Sequence, residues 1–184
     1  MGFSTKLNGT VRAFIEAQPM FFVATAARDG RVNVSPKGLD TLRIVDDTRI
    51  QWINLSGSGN ETAAHLQDMP RMTLMFMALD GDAQIVRVFG DASVRHPDEP
   101  GWSDAVSQFP PMAGQRQIFD LRIDMVRLSC GTGVPRMSFV EDRGHTEMVP
   151  YFDEMGTDGV RAYWKKKNRH SIDGRATGLL PEDR

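Results

Sequence analysis

The chain has one cysteine in 184 residues, Cys130, so no disulfide can close within it, and it reads as a protein of a reducing compartment. An excess of one charge is also missing. Its 22 basic and 24 acidic side chains leave −2, which gives no electrostatic footing for a nucleic acid or an anionic membrane. No apolar run approaches the ~20 residues that cross a bilayer. The start, Met1-Gly2-Phe3-Ser4-Thr5-Lys6, lacks the long apolar stretch of a secretory signal. These absences predict a cytoplasmic protein without membrane or nucleic-acid partners. His65, His96, His145 and His170 are scattered, with no i, i+4 zinc spacing, and no metal is expected. The Gly-x-Ser-x-Gly elbow of a hydrolase, the Walker Gly-Lys-Ser/Thr and the Gly-x-Gly-x-x-Gly dinucleotide fingerprint are all missing. Cys130 has no basic neighbour in sequence to activate it as a nucleophile. No repeat, low-complexity tract or linker divides the chain, so residues 1–184 read as a single domain.

What is present is a succession of short β-rich runs. A hydrophobic content of 40% and a charged content of 25% are those of an ordinary globular chain, and eleven methionines imply an adaptable core or interface. Val11, Phe14 and Ile15 fall at i, i+3, i+4 in a first helix over 5–18, closed by Pro19. Strands follow at 21–26, 31–35, 41–45 and 49–55, with an Asp29-Gly30 hairpin signal between the first two. A short helix is predicted over 60–67. Two apolar strands, 71–78 and 84–95, come next; the first reads as buried on both faces, and Gly90 marks a bulge in the second. A short helical stretch within 99–109, a long strand over 117–129, a further strand at 135–140 and a helix at 144–155 complete the reading. Closely spaced antiparallel strands favour a barrel over a parallel α/β sheet, so the fold class is mainly β with flanking helices. The strands at 71–78 and 84–95 carry more apolar surface than one small barrel and two short helices cover, which predicts a two-fold homodimer.

Two turns carry the chemistry. Ser35-Pro36-Lys37-Gly38 puts an ammonium at a strand end. A lone lysine there is ordinarily solvated, but Pro36 stiffens this turn and Gly38 lets backbone approach a ligand closely. Ser56-Gly57-Ser58-Gly59-Asn60-Glu61-Thr62 follows a hydrophobic strand and opens a helix. An N-cap accounts for Asn60, yet it does not call for two serines and two glycines before it. Unpaired N–H groups there and the nearby lysine together suit a phosphate. With no metal cluster or nucleophile in view, a phosphate on a small barrel indicates a nucleotide-like cofactor. Tyr163-Trp164-Lys165-Lys166-Lys167-Asn168-Arg169 mixes aromatic and basic residues, and a segment packed beside an anionic cofactor explains it better than nucleic-acid contact does.

The order of these features resembles the pyridoxamine 5′-phosphate oxidase-like family of FMN-binding split barrels, which are antiparallel and of Greek-key type. The resemblance runs through Val34-Ser35-Pro36-Lys37-Gly38, Trp52-Ile53-Asn54-Leu55, the Ser/Gly/Asn turn, the stretch 63–76, and Val86-Arg87-Val88-Phe89-Gly90-Asp91-Ala92. It implies FMN as cofactor and a homodimer with sites at the subunit interface. By position, Lys37 and the turn of Ser58, Gly59, Asn60 and Thr62 would hold the phosphate. Asn33, Val34 and Ser35, with Ile53 and Asn54, would line the ribityl chain and ring, and Pro36 belongs to the same cofactor-binding set. Arg87 would reach the partner's cofactor. The C-terminal extension, about 144–184, would pack on the barrel or the partner subunit. The implied activity is that of an FMN-dependent oxidoreductase on a small molecule. A flavin- or haem-binding module without turnover, or a reductase using the deazaflavin F420, are the rival readings. Asn60-Glu61 stands where the oxidase has an Arg-Lys pair, so Glu61 is expected to turn away from a phosphate. The oxidase's C-terminal Trp and Arg motif for the pyridoxal substrate is not recognisable, which argues against that substrate.

Overall fold

The computed structural model describes residues 3–184. An 8-stranded antiparallel sheet curls around the core in the order β3-β2-β6-β7-β8-β5-β4, with β1 pairing β8. The strands are β1 (Phe3–Ser4), β2 (Phe21–Thr25), β3 (Asn33–Lys37), β4 (Leu42–Asp46), β5 (Arg49–Leu55), β6 (Arg71–Met77), β7 (Gln84–Arg95) and β8 (Gln115–Cys130). The sheet does not close between β3 and β4. β6, β7 and β8 form a meander, and β5 returns beside β8, which is a Greek-key order. Among the described residues four α-helices flank it: α1 (Gly9–Glu16), α2 (Glu61–Leu66), α3 (Trp102–Val106) and α4 (Val149–Lys167). A π-helical turn, Gly144–Met148, leads into α4, which breaks at Gly156 (φ 66°).

Alternation fixes the core. Phe21, Val23 and Thr25 of β2 face inward, as do Met72, Leu74 and Phe76 of β6 and Val86 and Val88 of β7. Trp52 lies fully buried on β5 and stacks on Phe119 at 4.4 Å between ring centroids; Phe21 meets its edge and stacks on Phe76. Val11 and Ile15 of α1 close one end of this core. Asn8 caps α1, its side chain accepting from the Val11 N–H at 2.9 Å.

The β5 and β7 limits and the Gly90 bulge agree with the sequence reading, and the β7–β8 register shifts at Phe89/Gly90. A Cβ at Gly90 would collide with the Arg122 carbonyl oxygen across the ladder, so only glycine fits. Three readings need correction. The first helix is shorter than 5–18, because Asn8 caps it. β6 buries one face only: Thr73, Met75 and Met77 are half-exposed on the other. Residues 135–140 form no strand. Met137 donates its N–H to the Leu79 carbonyl, but no ladder follows, and Phe139 and Val140 stay exposed.

The C-terminal segment folds back along the sheet. Leu179 and Leu180 are buried, Arg31 pairs with Asp173, Arg175 pairs with Asp29, and Arg184 reaches Asp98 and Glu99. No helix among the described residues is long and apolar enough to cross a membrane.

Candidate functional site

Between the ends of β3 and β5, the turn before α2 and the segment 137–144 lies a cavity of about 890 Å³. That is within the usual 300–1,000 Å³ of a small-molecule site. β3 presents Asn33, Ser35 and Lys37 on one face by strand alternation, and leaves Val34 60% exposed on the other. β5 contributes Ile53 and Asn54 as it ends. Asn33 and Ser35 share hydrogen bonds at 3.1 and 3.2 Å, and the Asn33 amide reaches the Thr62 hydroxyl at 3.4 Å.

Lys37 turns inward. Its Nζ donates to Asn54 Oδ1 at 3.1 Å and lies 5.3 Å from the Trp52 ring centroid. Burial pushes its pKa down from 10.5 to about 8, and the Arg116 charge pushes the same way. Arg116, only 2% exposed, lines the same cavity from the start of β8. Burial lowers its pKa to about 9, which still leaves it charged at neutral pH. Among the described residues neither cation forms an ion pair, although Glu61, Glu141 and Asp142 line the same cavity. Buried charge ordinarily has an ion-pair partner, and these two positive groups have none in direct contact.

The turn beside them is braced from its inner side. Arg116 donates to the Gly57 and Gly59 carbonyls at 3.4 and 3.0 Å, and the Asn168 amide donates to the Gly57 carbonyl at 2.8 Å. The Trp164 indole N–H donates to Ser56 Oγ at 2.7 Å, and Ser56 donates onward to the Gly114 carbonyl at 2.8 Å. None of the N–H groups from Gly57 to Asn60 donates to an acceptor among the described residues. Asn60 sits at the N-cap position of α2 but makes no cap hydrogen bond. Its amide turns to the Asn168 carbonyl at 3.4 Å instead, and its Oδ1 is buried without a partner. The Glu61 carboxylate is occupied by the Ile172 N–H at 3.0 and 3.2 Å.

The cavity therefore gathers Asn33, Ser35, Pro36, Lys37, Ile53, Asn54, Gly59, Asn60 and Thr62. It does not gather Val34 or Ser58, both exposed, nor Arg87. Arg87 lies on β7 and donates to Ser129 Oγ at 3.2 Å, away from this chain's cavity. Arg116 and the 137–144 wall escaped the sequence reading. Arg116 precedes the alternation that marks β8, and residues 135–140 carry a strand-like composition.

A family model described as pyridoxamine 5′-phosphate oxidase matches residues 7–130. The chain belongs to the pyridoxamine 5′-phosphate oxidase family. Within this family, it is 34% identical over 155 residues to the pyridoxamine 5′-phosphate oxidase family protein ustO of Aspergillus flavus. The match covers 82% of the chain and 62% of ustO, so the chain spans less than two thirds of that relative's length. A Lactobacillus delbrueckii protein assigned to the pyridoxamine 5′-phosphate oxidases superposes with a TM-score of 0.55 at 17% identity, over 67% of this chain and 95% of that one. HupZ of Group A Streptococcus does so at 0.52 and 15%, over 72% and 99%. At such identities these two structures show the split-barrel fold alone.

Proposed function

We propose that this family member is an FMN-dependent oxidoreductase acting on a small molecule as a two-fold homodimer. The observation that carries the reading is the pair of cations without an ion-pair partner, Lys37 and Arg116, on one cavity beside a turn whose N–H groups from Gly57 to Asn60 have no acceptor among the described residues. Such a donor set fits a phosphate, and the remaining volume and mixed polarity fit a flavin. Unpartnered Arg116 Nε and Asn60 Oδ1, both buried, further mark the turn as a place where polar groups await a partner. Haem is ordinarily held by a proximal histidine or cysteine, and none lines this cavity among the described residues, although Met20, Met137 and Met148 do.

In this reading Lys37 and the N–H groups of 58–62 hold the phosphate. Asn33, Ser35, Ile53 and Asn54 line the ribityl chain and ring, and Arg87 serves the partner's cofactor. FMN, when bound, supplies hydride chemistry. The chain's residues bind and orient it: Asn54 fixes the Lys37 ammonium, and the Ile172 N–H keeps the Glu61 carboxylate occupied. Residues 137–144 form one wall of the cavity. The purified chain titrated with FMN and with riboflavin, followed by flavin fluorescence, tests the reading. Tighter FMN binding is expected; equal affinity for the two would sink it, and a Soret band on the purified protein would replace flavin by haem.

A further inference from the structure

Arg116 occupies an unusual place in the ladder. Asn54 of β5 pairs with Gln117 of β8, while the next residue, Leu55, pairs with Gln115. Arg116 is therefore the extra residue of a β-bulge, opposed by nothing on β5. A bulge re-aims the side chain it carries. Here it sends a guanidinium beneath the 56–60 turn, where it is fully buried and has no acid to neutralise it. Its Nη atoms hold the Gly57 and Gly59 carbonyls. The peptide units are planar and all trans. The Ser58 and Asn60 N–H groups, each anti to one of those carbonyls, must therefore point the opposite way, off the guanidinium. One buried cation without an ion-pair partner thus turns two donors of the turn away from itself and adds a positive charge beneath them.

We propose that Arg116 is a positioning residue that aims the Ser58 and Asn60 amides and makes the site select a phosphorylated flavin over its unphosphorylated form. This rests on the flavin reading above. Arg116 acts through the turn: its donors are spent on backbone carbonyls, so it needs no contact with the cofactor. Lysine cannot replace it, because a single ammonium lacks the fork that spans both carbonyls.

The test uses the full chain as wild type, R116M and R116K, with far-UV circular dichroism and a thermal melt as the fold check. Dissociation constants for FMN and riboflavin are read by fluorescence titration. Wild type prefers FMN. R116M is expected to lose about 10–100-fold in FMN affinity, the scale of a charge-assisted interaction, while riboflavin moves less than about twofold. R116K should recover only part of the loss. A parallel arm needs no variant: FMN should slow hydrogen exchange at the Ser58 and Asn60 amides of wild type, and riboflavin should not. The proposal is overturned if R116M keeps the wild-type preference for FMN, if it loses both flavins alike as a merely structural residue would, or if riboflavin protects the two amides as well as FMN does. A wild type that binds both flavins equally refutes the flavin reading itself, and the role of Arg116 falls with it.

Discussion

Replacing Lys37 by methionine removes one charge from the cavity and keeps the bulk of the side chain. The ammonium is held by Asn54 at 3.1 Å, packs on Trp52, and has its pKa lowered to about 8 by burial and then by Arg116. A charge-assisted hydrogen bond to a phosphate is worth about 1.5–3 kcal/mol, so Lys37→Met should weaken FMN at neutral pH by about 10–100-fold and leave riboflavin nearly unchanged. The same pKa dictates a pH profile. With a pKa of about 8 in the unliganded chain, Lys37 is about nine-tenths charged at pH 7 and about one-tenth charged at pH 9. A bound phosphate favours the charged form, so FMN binding takes up a proton above about pH 8. The logarithm of the dissociation constant then rises with pH, with a slope approaching one. Phosphate itself titrates near pH 6, so measurements should run from about pH 7 upward. Fluorescence titrations of wild type and Lys37→Met with both flavins decide the matter. Arg116, with a pKa lowered to about 9, adds its own slope at higher pH, so a flat wild-type profile between about pH 7 and 8.5, or a slope in that range that survives in Lys37→Met, would refute the assignment of the charge to Lys37.

The same group bears on stability. Its pKa is about 8 folded against 10.5 unfolded, so the unliganded protein is penalised below about pH 8 and gains stability as pH rises from about 8 toward 10.5. Lys37→Met should accordingly be more stable than wild type at pH 7, by up to about 3 kcal/mol, with the gap closing at high pH in urea melts. Gly90→Ala forces a Cβ into the Arg122 carbonyl and should cost about 3 kcal/mol, seen as a melting point lower by roughly 6–12 °C; an unchanged melt would show that the ladder yields freely. Truncation after Ala162 removes Trp164, Asn168 and Ile172, the partners of Ser56, Gly57 and Glu61, and should cost FMN affinity about tenfold or more while the sheet still folds. Light scattering at micromolar concentration should give a dimer mass; a monomer mass would leave Arg87 without a cofactor to reach.

The sequence makes the sheet legible because alternation is a local property: Arg49–Leu55 and Gln84–Arg95 have the limits their composition implies. Lys37 and the 56–62 turn are legible for the same reason, since Pro, Gly, Ser and Asn declare their backbone demands at their own positions. Arg116 is not, because a bulge exists only relative to the partner strand and nothing in Gln115-Arg116-Gln117 announces one. Segment 135–140 misleads in the opposite direction. Met137 and Phe139 alternate with Arg136 and Ser138 as in a strand, but the segment joins neither open edge, β3 or β4, and lines the cavity instead. The burial of Leu179 and Leu180 is likewise a tertiary fact, as two apolar residues in a polar tail carry no period to read.

The bracing of the turn has a consequence for the order of events during synthesis. Ser56 and Gly57 leave the ribosome 108 and 111 residues ahead of the Trp164 and Asn168 that hold them. At about 5–20 residues per second, the strands of the sheet have roughly 5–20 seconds to pair before the turn can be fixed. In the flavin reading, cofactor capture is thereby deferred until α4 docks, and a chain interrupted before that point would carry a formed sheet and an unset turn. In that reading the docking of α4, and not completion of the sheet, is the moment at which this protein becomes able to hold a flavin.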